Sequence, residues 1–315
     1  MVQESNNMVQ ARKVIPIFYA SDENYLPFLA VSLDSLKENA SKEYRYEIYV
    51  LNTDIEEKAT ERVMKLEDEN FGVHFIDVSE KLEEVKNSLQ LRDYYTGATY
   101  YRIFIANMFP EYEKALYIDS DTIVLGDISE LFNTELKDNL IGAIPDEAVA
   151  VVPEFRRYTK ETLGIVAEKY FNAGVILMNL NEFRKSDFYG QFCGLLKTYK
   201  FSVAQDQDYL NVICKDKIVF VGGEWNKMPI GGDGETPKLV HYNLTMKPWH
   251  YEKTLFEEHF WHYARRSEYY ERILGELREY SAEKKQKDAD SEVALRALAI
   301  KEAEREDNYF KRFGK

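Results

Sequence analysis

Between Val14 and Val78 the chain reads VIPIFY (Val14–Tyr19), PFLAVSLDSLK (Pro27–Lys37), EIYVL (Glu47–Leu51), EEKATERVMKLEDEN (Glu56–Asn70) and VHFIDV (Val73–Val78). The first, third and fifth are short apolar runs, whereas the second and fourth space their apolar residues as a helix does. Strand, helix, strand, helix, strand in this order predicts parallel strands joined by right-handed helical crossovers, and hence a doubly wound α/β sheet. Such sheets bind ligands beyond the carboxyl ends of their strands. The loops after Tyr19, Leu51 and, further along, Ile118 are therefore where chemistry is expected.

Downstream, Tyr100–Met108 reads as a helix and KALYI (Lys114–Ile118) as a short buried strand running into Asp119-Ser120-Asp121. Leu140–Ile144, Gly174–Met178, Ile218–Val221 and Lys238–His241 read as further strands, and Tyr189–Thr198 and Gln207–Lys215 as helices. After Trp249 the character changes. Leu255–Tyr280 is aromatic and charged, and Ser281–Lys315 is charge-rich with an apolar stripe at Val293, Leu295, Leu298 and Ile300. This predicts a core domain of residues 13–250 and a helical C-terminal extension, 251–315, packing on the core or on a partner. Tyr309, Phe310, Lys311, Arg312 and Phe313 give that extension two further candidate roles, peripheral membrane contact or a homo-oligomer contact.

With 315 residues, 45% hydrophobic and 14% aromatic, the chain can bury a substantial core. A formal net charge of -14 would repel a phosphate backbone, which excludes nucleic acid as a partner. Met1–Lys13 is polar, without the apolar run of a secretory signal, and no later segment is apolar enough to span a bilayer. Cys193 and Cys214 lack metal-ligand spacing and fit a reducing compartment, so the expected location is cytoplasmic.

The segments that carry chemistry follow from this frame. Asp119 and Asp121, at the end of a buried strand, can face one divalent cation that also binds a diphosphate, although an Asp-x-Asp triplet alone is common. His241-Tyr242-Asn243-Leu244-Thr245-Met246-Lys247-Pro248-Trp249 supplies an imidazole and, six residues on, a lysine on a rigid loop with a positive tip suited to phosphate. Ser21-Asp22-Glu23-Asn24-Tyr25 follows the first strand. It reads either as an ordinary helix cap or as contacts to a base and ribose. Gln205-Asp206-Gln207-Asp208 precedes an apolar helix face and on its own is normal capping. Phe171-Asn172-Ala173-Gly174 adds an amide and a small residue that lets a ligand approach the backbone.

Taken together and in this order, these segments resemble glycosyltransferase family 8, the group that includes bacterial lipooligosaccharide galactosyl- and glucosyltransferases and the eukaryotic glycogenins. The resemblance spans about Val14 to Trp249. It implies a GT-A fold, with a mixed, mostly parallel central sheet flanked by helices. It also implies that Asp119, Asp121 and His241 hold Mn²⁺, with Mg²⁺ as the alternative, that Ser120 lies in the donor site between the acids, and that Lys247 meets the diphosphate. Ala20, Asp22, Asn24 and Tyr25 match uridine contacts. Arg102, Asp146, Asn172, Ala173, Asp206 and Gln207 match residues around the transferred sugar. One departure is Leu244, three residues after the histidine, where many members carry glycine.

The implied activity is retaining transfer of a hexose from UDP-glucose or UDP-galactose to a saccharide or glycolipid acceptor. The resemblance sets Gln207, a poor nucleophile, beneath the anomeric carbon. This favours front-side substitution with Gln207, Asp206 and Lys247 as the catalytic set. Competing readings are a sugar-nucleotide pyrophosphorylase or hydrolase, and a transferase-like accessory subunit. The first wants a glycine-rich phosphate loop after the first strand, which is missing here. The second gives no physical reason to keep uncompensated acids beside His241 and Lys247.

Overall fold

The computed structural model describes residues 12–85, 97–230 and 236–314. The polar start, Met1–Ala11, and Lys315 at the end of the extension lie outside them. Among the described residues the strands are β1 (Lys13–Ala20), β2 (Tyr44–Asn52), β3 (Phe71–Asp77), β4 (Lys114–Ile118), β5 (Thr122–Val124), β6 (Ile141–Pro145), β7 (Phe171–Asn179), β8 (Ile218–Phe220) and β9 (Leu239–His241). A seven-stranded sheet has the order β3-β2-β1-β4-β7-β6-β8, while β5 and β9 pair separately. Strands β1 to β4 run parallel, β7 runs against both β4 and β6, and β8 is parallel to β6. This is the mixed, mostly parallel sheet that the resemblance implies.

The chain runs outward from β1 to β3 and then returns to place β4 on the other side of β1. The order of connection therefore reverses between β1 and β4, which opens a crevice at the carboxyl ends of these two strands. Ser120 spans it, its hydroxyl donating to the Ala20 carbonyl at 2.7 Å.

The sheet forms because its central strands are apolar on both faces. Ile17 and Leu116 point into one core layer, and their neighbours Phe18 and Tyr117 into the other, as the two-residue period of a strand requires. Each fully buried side chain of this size stabilises the fold by about 1.5–3 kcal/mol relative to exposure. Helix Leu26–Asn39 covers one face and is buried along most of its length. It also fixes β5: Ser32 and Thr122 hydroxyls lie 2.9 Å apart, and the Ser35 hydroxyl accepts the Val124 N–H at 2.9 Å.

Three sequence expectations are corrected. The helix expected over Glu56–Asn70 ends at Met64, because Asp68 and Phe71 pair their backbones in a tight turn. Most of Tyr100–Met108 winds as a 3-10 helix, Gly97–Phe104, with only Ile105–Met108 in α geometry. The strand expected over Lys238–His241 forms as β9; it lies outside the main sheet and pairs antiparallel with β5, Thr122 opposite His241. In the extension, helix Ala282–Glu304 turns Val293 to solvent, 68% exposed, and buries Leu295, Leu298, Ala299, Glu302 and Ala303 to varying degrees along one face.

That helix lies against helix Pro153–Tyr158, and Tyr309 packs its ring against Tyr199 and Phe201. Phe310 closes over Gly164, a left-handed position (φ 70°) at which a side chain would collide with that ring. Among the described residues no helix is long and apolar enough to cross a membrane.

Candidate active site

Tyr117, on β4, and Asp119, just beyond it, are two residues apart and so share a face. The Tyr117 hydroxyl donates to Asp119 Oδ1 at 2.8 Å, and Arg102 reaches the same oxygen at 3.2 Å. Arg102 is buried, with its guanidinium 4.1 Å from the Tyr117 ring centre, and donates to the carbonyls of Thr99 and Ala173. Burial alone would draw its pKa down. The charges of Asp119 and Asp206 and the Tyr117 phenol outweigh that and hold it above the ordinary value.

The β5–β9 ladder delivers His241 to the same place. Its Nε2 lies 3.2 Å from Asp121 Oδ1 and 3.7 Å from Asp119 Oδ2, and one donor atom from each of the three residues falls within 4.8 Å of the others. Gly174 makes room for this convergence. Its carbonyl accepts the Asp119 N–H at 2.8 Å, and a Cβ on it would collide with the imidazole while standing 2.7 Å from Asp119 Oδ2. The small residue expected to admit a ligand thus admits the edge of a histidine.

Lys247 is not the exposed positive tip that the sequence suggests. Trp249 is buried and stacked on Phe28, centroids 4.0 Å apart, and this anchors the loop so that Lys247 turns inward to Asp121 Oδ2 at 2.5 Å and to the Tyr242 carbonyl at 2.6 Å. Asp119 is met by Arg102, whereas among the described residues Asp121 has no other cationic side chain against it but the imidazole, and its buried charge draws the ammonium in. Burial by itself would raise the Asp121 pKa, but the Lys247 ammonium overrides it and holds the carboxyl well below its usual range. Burial alone would lower the Lys247 pKa, but the charge of Asp121, with Tyr25 and Asp119 beyond it, holds it above the ordinary value. Leu244, in this loop, adopts φ 57°, the left-handed region that glycine fills without strain.

The residues matched to the sugar cluster beside these groups. Gln207 is held at both ends: Oε1 accepts from Ala173 N at 2.9 Å and Asn172 Nδ2 at 3.3 Å, while Nε2 donates to Asp146 Oδ2 at 3.0 Å and the Tyr170 hydroxyl at 3.2 Å. Asp208 behaves partly as a cap, accepting the Ala204 N–H at 2.9 Å. Asp206 does not. It faces Arg102, with Oδ2 3.2 Å from Nε, but that N–H is spent on the Thr99 carbonyl and the carboxylate oxygen has no hydrogen-bond donor. Burial pushes the Asp206 carboxyl up to about 7, against the opposing charge of Arg102.

On the β1 side, Asp22 Oδ1 accepts the Tyr25 N–H at 3.0 Å, which is the capping reading of that segment. Tyr25 lies toward Lys247, whose Nζ is 6.0 Å from the ring centre, whereas Asn24 is exposed. Sequence reasoning missed Tyr117, Tyr170 and Asn226. Tyr117 had a signal in its i, i+2 spacing to Asp119. Asn226, 2.9 Å from His241 Nδ1, had none, since it sits in a 3-10 turn, Gly223–Asn226, brought near by distant pairing.

Residues 16–253 match the sequence profile of Glycosyl transferase family 8. The chain is 32% identical over 246 residues to a putative glycosyltransferase of Haemophilus influenzae, covering 74% of this chain and 72% of that protein. It is 31% identical over 255 residues to the lipopolysaccharide 1,3-galactosyltransferase of Salmonella typhimurium, with 74% and 72% covered. The fold is similar to that of the galactosyltransferase LgtC in complex with donor and acceptor sugar analogues, with a TM-score of 0.68, 25% identity, and 81% of this chain and 96% of that one covered. That likeness agrees with the GT-A architecture. A switch-point crevice holding two acids, a histidine and a lysine, together with these matches, leads to one conclusion: the chain belongs to glycosyl transferase family 8, a family of glycosyltransferases.

Proposed function

We propose that the chain is a metal-dependent, retaining glycosyltransferase that moves glucose or galactose from its UDP conjugate to a saccharide or glycolipid acceptor. The carrying observation is the convergence of Asp119, Asp121 and His241. Two carboxylates and one imidazole nitrogen suit Mn²⁺ better than Mg²⁺, which prefers oxygen ligands alone. Gly174 lets the imidazole stand this close to the acids, and one donor atom from each of the three residues within 4.8 Å of the others fits a divalent cation. Bound there, the cation would neutralise charge on the departing diphosphate.

The chain's own groups supply the rest. Lys247 is close enough to the acid pair to move onto the diphosphate as it departs, which adds electrostatic stabilisation where charge develops. The unpartnered Asp206 oxygen is an acceptor for a sugar hydroxyl. Gln207 has both ends of its amide engaged, which supports a supporting surface rather than a nucleophile and favours front-side substitution. In that step the bond from the anomeric carbon to the diphosphate oxygen breaks. The acceptor hydroxyl attacks on the same face, and its proton passes to a β-phosphate oxygen. We take residues 13–250 as the catalytic domain and 251–315 as an extension. The likeness to an enzyme of lipopolysaccharide assembly supports a glycolipid or saccharide acceptor at the inner face of the membrane.

The test is release of UDP from UDP-glucose and UDP-galactose with Mn²⁺ and again with chelator. Turnover that depends on the metal and vanishes in Asp119→Asn is expected. Equal turnover in chelator, or in the variant, rejects the reading.

A further inference from the structure

A run of buried side chains leads from the sugar side of the crevice to His241. Asp146 is an acceptor: its Oδ1 takes the Val149 N–H at 3.0 Å, and its Oδ2 takes Asn172 Nδ2 and Gln207 Nε2, each at 3.0 Å. The amide of Asn172 is therefore fixed from one end. It is fixed independently from the other, because the backbone N–H of Gly174 donates to Asn172 Oδ1 at 2.9 Å. With that oxygen's identity settled, its second partner at 2.9 Å must be the NH₂ of Asn226. The Asn226 oxygen then faces His241 Nδ1 at 2.9 Å. An amide oxygen only accepts, so Nδ1 must carry the hydrogen.

The consequence lies on the far side of the ring. In the neutral imidazole with hydrogen on Nδ1, Nε2 bears the lone pair, and Nε2 is the nitrogen 3.2 Å from Asp121 and 3.7 Å from Asp119. Asp146, Asn172, Asn226 and His241 are all at most 5% exposed, which limits replacement of any of these partners by water. Asn226 is held in place by the chain around it. Lys227 N donates to the Leu239 carbonyl and His241 N to the Lys227 carbonyl, both at 2.9 Å, and Trp225 is buried.

We propose that Asn226 is a positioning residue that holds His241 with its hydrogen on Nδ1, so that the Nε2 lone pair faces the space between Asp119 and Asp121. Asn172 and Asp146 set the polarity of this chain of bonds and tie it to Gln207. The proposal rests on the metal reading above for its purpose, but the tautomer itself can be read without metal.

Two measurements on the full chain test it. The first is ¹⁵N–¹H NMR of the histidine rings in chelator at pH 9, well above the ordinary imidazole range, with His241 assigned by difference against His241→Gln. Wild type and Asn226→Asp, which keeps the acceptor, are expected to show hydrogen on Nδ1. Asn226→Leu is expected to lose that preference. The second is Mn²⁺ titration: Asn226→Leu should bind ten- to hundredfold more weakly than wild type, and Asn226→Asp within about threefold of it. Hydrogen on Nε2 in the wild type overturns the proposal, as does wild-type Mn²⁺ affinity in Asn226→Leu. A wild-type protein with the expected tautomer but no Mn²⁺ binding supports the clamp and overturns the metal reading alone.

Discussion

Gly174 lies so close to the imidazole of His241 that a methyl group on its Cα would overlap Cε1 and press on Asp119 Oδ2. Gly174→Ala should therefore push the ring away from the acids while the sheet survives, since overpacking of one methyl costs about 1–3 kcal/mol. The expected result is at least tenfold lower Mn²⁺ affinity and UDP release with an unchanged far-UV circular dichroism spectrum. Full activity in this variant would show that the ring position does not matter.

Lys247 and Asp121 set up a competition. The ammonium lies 2.5 Å from Asp121 Oδ2, on one of the two carboxylates proposed to hold the cation. Lys247→Ala should bind Mn²⁺ in the absence of donor as tightly as wild type or more so. Turnover should still fall by about 10²–10³, the usual loss for one preorganised group that meets developing charge. Direct titration and steady-state UDP release separate the two effects. A parallel loss of metal affinity would mean that Lys247 merely holds Asp121 in place.

Burial pushes the carboxyl of Asp208 up to about 6, although the Ala204 N–H and the hydroxyls of Tyr170 and Tyr158 all donate to it. In the unfolded chain the same group titrates near 3.9. The folded state holds the proton more tightly, so this group's contribution to stability is intact below about pH 4. It is lost as pH rises through 6, leaving a constant penalty of ~3 kcal/mol above that. Asp208→Asn has no such proton to lose and should gain on wild type by about that amount between pH 4 and pH 7. Urea midpoints of both proteins at both pH values check this; a pH-independent difference rejects it.

Leu244 is 45% exposed and left-handed, so its side chain contributes little burial while its backbone is strained by about 1–2 kcal/mol. Leu244→Gly should keep or raise the thermal midpoint. Leu244→Val, β-branched in the same conformation, should lower it. Calorimetry on the three proteins decides between strain and an unnoticed packing role.

The sheet was legible because β1, β2 and β3 alternate with helical spacing over a short stretch, and the acids were legible because they close an apolar strand. Long-range pairing was not. Nothing local in Leu239–His241 separates a main-sheet strand from one that pairs only with Thr122–Val124. The inward turn of Lys247 was equally hidden, because it follows from a field that exists only once Asp119 and Asp121 stand beside it. Asn226 lacked any periodic or motif signal, and its neighbours come from segments around residues 146, 172 and 241. Val293 misled for a simpler reason: in a helix of alternating charge, the apolar stripe is set by the surface it meets, here Leu295 and Ala299 against the core.

The ladder between β5 and β9 spans only Thr122–Val124 and Leu239–His241. It works as a ruler: one step of slippage would present Val240 where the imidazole belongs and leave the acid pair facing an aliphatic side chain. Loops elsewhere can lengthen or shorten without altering that spacing.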